Sequence, residues 1–208
     1  MYLPTCVAVA PWRHLPNSML NLVDLLRFPH VDTGLQFDIS PDGRNVAFSW
    51  NRTGNWEIYK LSLSPRRGEA REVKLISREE GSKFSPQYSP DGKHLAYALD
   101  LDGSESFHII LHNLETESFI DLTPSSAYAH QPNFAFSPDG RTMAVLSDER
   151  GQFALYLLSI GTAEKRLLLD LHRPIWDVRW SRDGQWIVAE VETQASEHGL
   201  FIVSARIH

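Results

Sequence analysis

The sequence predicts an all-β chain, a partial β-propeller of four repeats. Two observations carry that prediction: a four-residue turn phrase recurs at a nearly constant interval, and the residues around each copy recur with it. The phrase is complete at Ser40-Pro41-Asp42-Gly43, Ser89-Pro90-Asp91-Gly92 and Ser137-Pro138-Asp139-Gly140 and altered at one position in Ser181-Arg182-Asp183-Gly184, so its starts lie 49, 48 and 44 residues apart. Proline presets the backbone angle of a type I turn, aspartate bonds its own backbone, and glycine takes the left-handed conformation that closes the hairpin. Each copy therefore predicts a reverse turn between two strands.

The flanks define those strands. The residue before each serine is Ile39, Tyr88, Phe136 or Trp180, always large and apolar, which ends a first strand. Three residues past each glycine stand Val46, Leu95, Met143 and Ile187, followed by Ala47, Ala96, Ala144 and Val188. Large and small residues thus alternate along a second strand covered on both faces, its small side allowing a neighbouring sheet to approach closely. A third strand begins at Trp56-Glu57-Ile58-Tyr59, Phe107-His108-Ile109-Ile110, Phe153-Ala154-Leu155-Tyr156 and Leu200-Phe201-Ile202-Val203. A fourth follows at 72–76, 118–122 and 165–169, and the last repeat has none before His208. Four strands per period of this length is the pattern of propeller blades, here over about 34–77, 82–123, 131–170 and 174–208 within a domain of residues 31–208, the last blade incomplete.

Ahead of the blades, residues 1–30 read as an N-terminal arm. Pro4, Pro11 and Pro16 break any long helix, Thr5 to Ala10 reads as a short strand, and Asn17 or Ser18 caps a helix over 19–28 that Pro29 ends. Its polar residues Asn21, Asp24 and Arg27 share one side, so its apolar face packs on the first blade or docks on a second domain.

On these residues, the chain from about 21 to 208 resembles the propeller repeats of TolB-like proteins and of the N-terminal domains of prolyl-oligopeptidase-family serine peptidases. The stretch Ile39 to Phe48 leading into Gly54-Asn55-Trp56-Glu57-Ile58-Tyr59 leans toward the acylaminoacyl-peptidase and dipeptidyl-peptidase branch. The resemblance implies a propeller that covers an active site and restricts access to short peptides, with the segment before it packing on a hydrolase domain. Such propellers have more than four blades, which implies an open fragment. The rival is a closed four-bladed ring in which Thr5 to Ala10 supplies the missing outer strand.

Composition narrows the function. With 208 residues, 42% of them hydrophobic, the chain can bury a sizeable core, and a formal net charge of −6 without basic runs argues against nucleic acid. The single cysteine, Cys6, excludes an internal disulfide framework and a thiolate zinc site and fits a reducing compartment. Without a basic start or a long apolar stretch, the sequence predicts a cytoplasmic protein that does not enter a membrane.

Catalytic chemistry finds little support. A hydrolase of the resembled family needs a serine in Gly-x-Ser-x-Gly followed by Asp and His, and no such motif occurs. Asp100-Leu101-Asp102-Gly103-Ser104-Glu105 carries alternating oxygens around a glycine but lacks the closing glutamate of a calcium loop, and reads as a hairpin turn. His108 and His112 have metal spacing on a helix, whereas on the strand assigned here they lie far apart along one face. Glu79-Glu80 reads as a solvated pair, lacking the motif that surrounds the paired glutamates of dipeptidyl peptidases.

No catalytic, cofactor-binding or metal-binding residue is therefore assigned. The face opposite the Ser-Pro-Asp-Gly turns gathers the loops between second and third strands and between blades. Lys83, His130 and Arg173 are its candidate channel-mouth contacts, with solvated loop charge the plainer reading of all three. The leading expectation is the non-catalytic, substrate-gating propeller of a prolyl-oligopeptidase-like peptidase, partnered by an α/β-hydrolase domain in a longer parent chain or by a peptide or protein ligand. The alternative is a TolB-like interaction scaffold without peptidase activity. In the open-fragment reading, open blade edges and the exposed helix face predict self-association.

Overall fold

The computed structural model describes residues 37–63, 72–124, 127–194 and 197–206, and every regular element among them is a strand. The arm, its helix over 19–28 and the strand at Thr5 to Ala10 lie outside the described residues. Fifteen strands form four antiparallel sheets in chain order. Blade 1 holds β1 (Phe37–Ile39), β2 (Asn45–Trp50), β3 (Glu57–Ser62) and β4 (Val73–Leu75). Blade 2 holds β5 (Ser82–Tyr88), β6 (His94–Asp100), β7 (His108–Asn113) and β8 (Phe119–Asp121). Blade 3 holds β9 (Ala135–Phe136), β10 (Thr142–Ser147), β11 (Ala154–Ser159) and β12 (Lys165–Leu169). Blade 4 has three strands, β13 (Ile175–Trp180), β14 (Trp186–Gln194) and β15 (Glu197–Ser204). The third strand of the last repeat, expected to begin at Leu200, begins instead at Glu197, where the ladder extends to pair Glu192 with His198 and Gln194 with Glu197.

The four turns repeat bond for bond. In each, the glycine N–H donates to the serine carbonyl and the serine hydroxyl donates to the aspartate at 2.6 Å. That carboxylate also accepts the N–H of Arg44, Lys93, Arg141 or Gln185, the residue after the glycine. Gly92, at φ +71°, sits against Pro41 of the preceding turn, and Gly140 and Gly184 repeat the contact with Pro90 and Pro138. The turns therefore stack blade on blade.

Strand alternation gives every blade two faces. The face turned toward the next blade carries Ala47 and Ile58 in blade 1, Ala96, Ala98, Ile109 and Leu111 in blade 2, and Ala144, Leu146, Leu155 and Leu157 in blade 3. The opposite face carries mostly larger residues, Leu95, Tyr97 and Leu99, then Met143 and Val145, then Ile187 and Val191 with Ala189 between them. Small residues let the sheets approach and large ones fill the gap, so each seam becomes a separate apolar core in which a fully buried side chain contributes about 1.5–3 kcal/mol. Three such cores join four blades, and among the described residues none joins blade 4 to blade 1. The register puts Leu200 and Ile202 of β15 opposite Glu190 and Val188, where blade 3 has buried Leu155 and Leu157. Among the described residues no sheet packs on that side of blade 4, and they are 75% and 69% exposed.

Candidate functional site

The first strands of all four blades come together at one cavity of about 290 Å³, lined by Phe37 and Asp38 of β1, Ser85, Pro86 and Gln87 of β5, Asn133 and Ala135 at β9, and Arg179 of β13. These strands are therefore the innermost and the cavity is axial. Four of its residues, Asp38, Gln87, Ala135 and Arg179, hold the same repeat position, two before the turn serine. Alternation along a strand explains it: the large apolar residue before the serine turns one way and its predecessor the other.

Polar side chains at this axis also tie the blades together. Tyr88 N donates to Asp38 Oδ2 at 2.8 Å, Gln87 Nε2 to the Phe134 carbonyl at 2.6 Å, and Asn133 Nδ2 to the Trp176 carbonyl at 2.8 Å. Trp180 Nε1 donates back across the last seam to the Ala135 carbonyl at 3.2 Å. Each seam thus carries a bond from one blade's inner strand to the next. The register of β5 slips between Phe84 and Gln87, and within that bulge Ser85 holds a left-handed φ of 51°. Bulges and left-handed non-glycine residues concentrate at functional sites, where they re-aim side chains.

Opposite charges share the cavity. Burial pushes the Asp38 carboxyl above its ordinary range, outweighing the N–H groups of Tyr88 and Ile39 that favour its ionised form. Arg179 Nη1 donates to Asp177 Oδ1 at 2.8 Å and to the Val178 carbonyl at 3.0 Å, and no ion pair joins Arg179 to Asp38. Burial also raises the Asp177 carboxyl, with Arg179 pulling it back.

Lys83, His130 and Arg173 do not line this cavity. Lys83 is fully buried at the seam of blades 1 and 2, where its ammonium meets Glu57 Oε2 at 3.0 Å, the Gly81 carbonyl at 2.9 Å and the Glu79 carbonyl. Ser77 donates to the same Glu57 carboxylate, and Tyr97 donates to Glu79 Oε2 at 2.8 Å, so Glu79 is a seam residue beside the exposed Glu80. His130 is buried at the next seam, accepting on Nε2 from Lys165 Nζ at 3.0 Å, while Lys165 also pairs with Glu149. Burial, with Lys165 alongside, drives the His130 pKa down to about 3. Arg173 is exposed just before β13.

The remaining sequence candidates take structural places. Asp100 accepts the N–H groups of Gly103 and Glu105 and so closes the loop between β6 and β7 as a turn. Both histidines lie on β7, His108 bonded to Asp121 at 2.7 Å and His112 buried against the Phe119 ring. Among the described residues no group of three histidine, cysteine or acidic residues is placed to hold a metal.

Tandem antiparallel blades of three or four strands around an axial cavity define the class, a β-propeller. Residues 66–206 match the family model described as the TolB beta propeller domain, and the chain belongs to that family. Over 121 residues it is 32% identical to an uncharacterized peptidase, YuxL, of Bacillus subtilis, covering 56% of this chain and 18% of that protein. It is 27% identical over 151 residues to the Tol-Pal system protein TolB of Francisella tularensis, covering 72% of this chain and 33% of that one. The chain thus spans less than half the length of both relatives. Its structure overlays TolB from Acinetobacter baumannii with a TM-score of 0.65 at 25% identity, over 83% of this chain and 40% of that one. A puromycin-hydrolyzing peptidase of Mycobacterium tuberculosis matches in fold with a TM-score of 0.65 at 14% identity, over 83% of this chain and 31% of that one.

Proposed function

We propose that this chain is a non-catalytic recognition module, the substrate-gating propeller of a prolyl-oligopeptidase-like serine peptidase. One observation carries the reading: each innermost strand contributes to one axial cavity whose wall carries Asp38, Gln87, Asn133 and Arg179, the arrangement in which a rigid scaffold presents binding groups. The 32% identity to a peptidase over 121 residues supports the choice of parent. Its partner is an α/β-hydrolase domain in a longer parent chain, its ligands are short peptides, and its setting is cytoplasmic. Acyl transfer needs a positioned nucleophile, a base and oxyanion donors, and the motifs of this sequence assemble none of them.

The test is direct. The purified chain should bind short peptides, leave peptide-nitroanilide and acyl-amino-acid substrates at the buffer-only rate, and resist labelling by a serine-reactive fluorophosphonate. Turnover together with labelling would overturn the non-catalytic assignment. The second reading, a TolB-like protein-interaction scaffold, draws on the 27% identity to TolB over 151 residues. Capture of a folded protein partner with no affinity for short peptides would select it.

A further inference from the structure

We propose that the axial cavity binds a short peptide with both ends free, its ammonium at Asp38 and its carboxylate at Arg179. The proposal rests on the peptide-recognition reading above and specifies what is recognised.

Three features of the cavity select this chemistry. At about 290 Å³ it lies at the small end of ligand pockets, roughly 300–1,000 Å³, which suits a ligand of a few residues and not a folded domain. Its two formal charges are opposite and come from the first and last blades, Asp38 on β1 and Arg179 on β13, with no ion pair between them. Each Asp38 oxygen accepts one backbone N–H, from Ile39 at 2.9 Å and from Tyr88 at 2.8 Å. A carboxylate offers about four lone-pair sites, so capacity remains for an ammonium. A ligand cation there also offsets the burial that disfavours the ionised carboxyl.

Arg179 uses Nη1 for Asp177 and the Val178 carbonyl, and among the described residues its other donors meet no acceptor. A guanidinium fork of that kind takes a carboxylate in bidentate fashion. Between the charges, Gln87 and Asn133 spend their amide nitrogens on the Phe134 and Trp176 carbonyls. Their amide oxygens accept no bond among the described residues and complement the N–H groups of a peptide backbone. An acceptor for a cation, a donor fork for an anion and amide acceptors between them make the complement of an unblocked peptide.

Calorimetry on the full chain with trialanine, its N-acetyl form, its C-terminal amide and the doubly blocked peptide tests this. Trialanine should bind, each single block should weaken binding about tenfold or more, and the double block should abolish it. Asp38→Asn should become indifferent to acetylation while still preferring a free carboxylate, and Arg179→Gln should show the reverse. Because Asp38 also accepts a bond from blade 2, a thermal melt checks that variant's fold, and Arg179, whose side chain is about half exposed, supplies the independent arm. Equal binding of free and doubly blocked peptide would leave peptide recognition standing and overturn the reading of its ends. Absence of trialanine binding, or variants that keep both preferences, would overturn it as well.

Discussion

Gly81 and Gly103 both hold left-handed φ values, +89° and +78°, yet their surroundings give them different roles. A Cβ on Gly103 meets nothing within 4 Å, so Gly103→Ala should cost only the backbone strain, about 1 kcal/mol in urea unfolding. A Cβ on Gly81 would collide with the Asp100 carbonyl oxygen and stand 2.9 Å from Leu101 Cα, both backbone atoms that cannot swing away. Gly81→Ala should therefore destabilise by clearly more than Gly103→Ala, and equal midpoints would refute the close approach. Lys83 gives a second contrast. Lys83→Met leaves the Glu57 carboxylate without its counter-charge and the Gly81 carbonyl without its donor at a buried seam and should cost about 3–5 kcal/mol, and Lys83→Met with Glu57→Gln should recover part of it. His130 sets a pH dependence. Its folded pKa of about 3 lies below the ordinary 6.5, so the unfolded chain takes up the proton first. The corresponding stability is complete above pH 6.5 and is lost as the pH falls toward 3, and a His130→Asn variant should flatten the urea midpoint across that window. Asp38 runs the other way: its raised pKa contributes stability below the unfolded value of 3.8 that is lost as pH rises through the folded one.

The turn is the element in which local chemistry and global fold agree most closely, and it was the most legible in the sequence. Serine, aspartate and glycine each perform a bonded role within six residues of one another, so no distant contact is needed to recognise them. Ser89→Ala removes the bonds to Asp91 at 2.6 Å and from His94 N at 2.9 Å in a buried setting and should cost roughly 1–3 kcal/mol. Ser181→Ala, which removes the equivalent bonds in an exposed turn, should cost less. Gly92→Val and Gly140→Val should each cost roughly 1–3 kcal/mol through left-handed strain, and unchanged melts would refute the turn geometry. Second and third strands were legible because their apolar alternation is strong. Outer strands were harder: β4 and β8 hold three residues each where the sequence suggests five, whereas β12 holds the five expected. The axial cavity left a weaker trace. Asp38, Gln87 and Arg179 are polar at a shared position, but Ala135 breaks the series, and residues 44–49 apart become neighbours only when blades stack. Lys83 shows the converse, a loop charge in the sequence that tertiary packing turns into a buried seam.

For the whole molecule, the exposed apolar residues on the two end faces govern behaviour in solution. Among the described residues, six of the eleven large hydrophobics that are exposed stand on the outward face of blade 1 or of blade 4: Phe37, Ile39, Leu75, Trp186, Leu200 and Ile202. Apolar surface gathered in this way invites association. Light scattering on the purified chain should show dimers or larger species. Leu200→Lys with Ile202→Lys should reduce them without lowering the melting temperature, because neither side chain packs in a seam. A monodisperse wild-type monomer would count against this. The separate seams have a further effect on time. Among the described residues, blades 2 and 3 are clasped on both sides, whereas blade 4 packs on blade 3 and has three strands. Amide hydrogens of β14 and β15 should therefore exchange with solvent deuterium sooner than those of β6 and β10, the array fraying inward from its last member like a zip fastener.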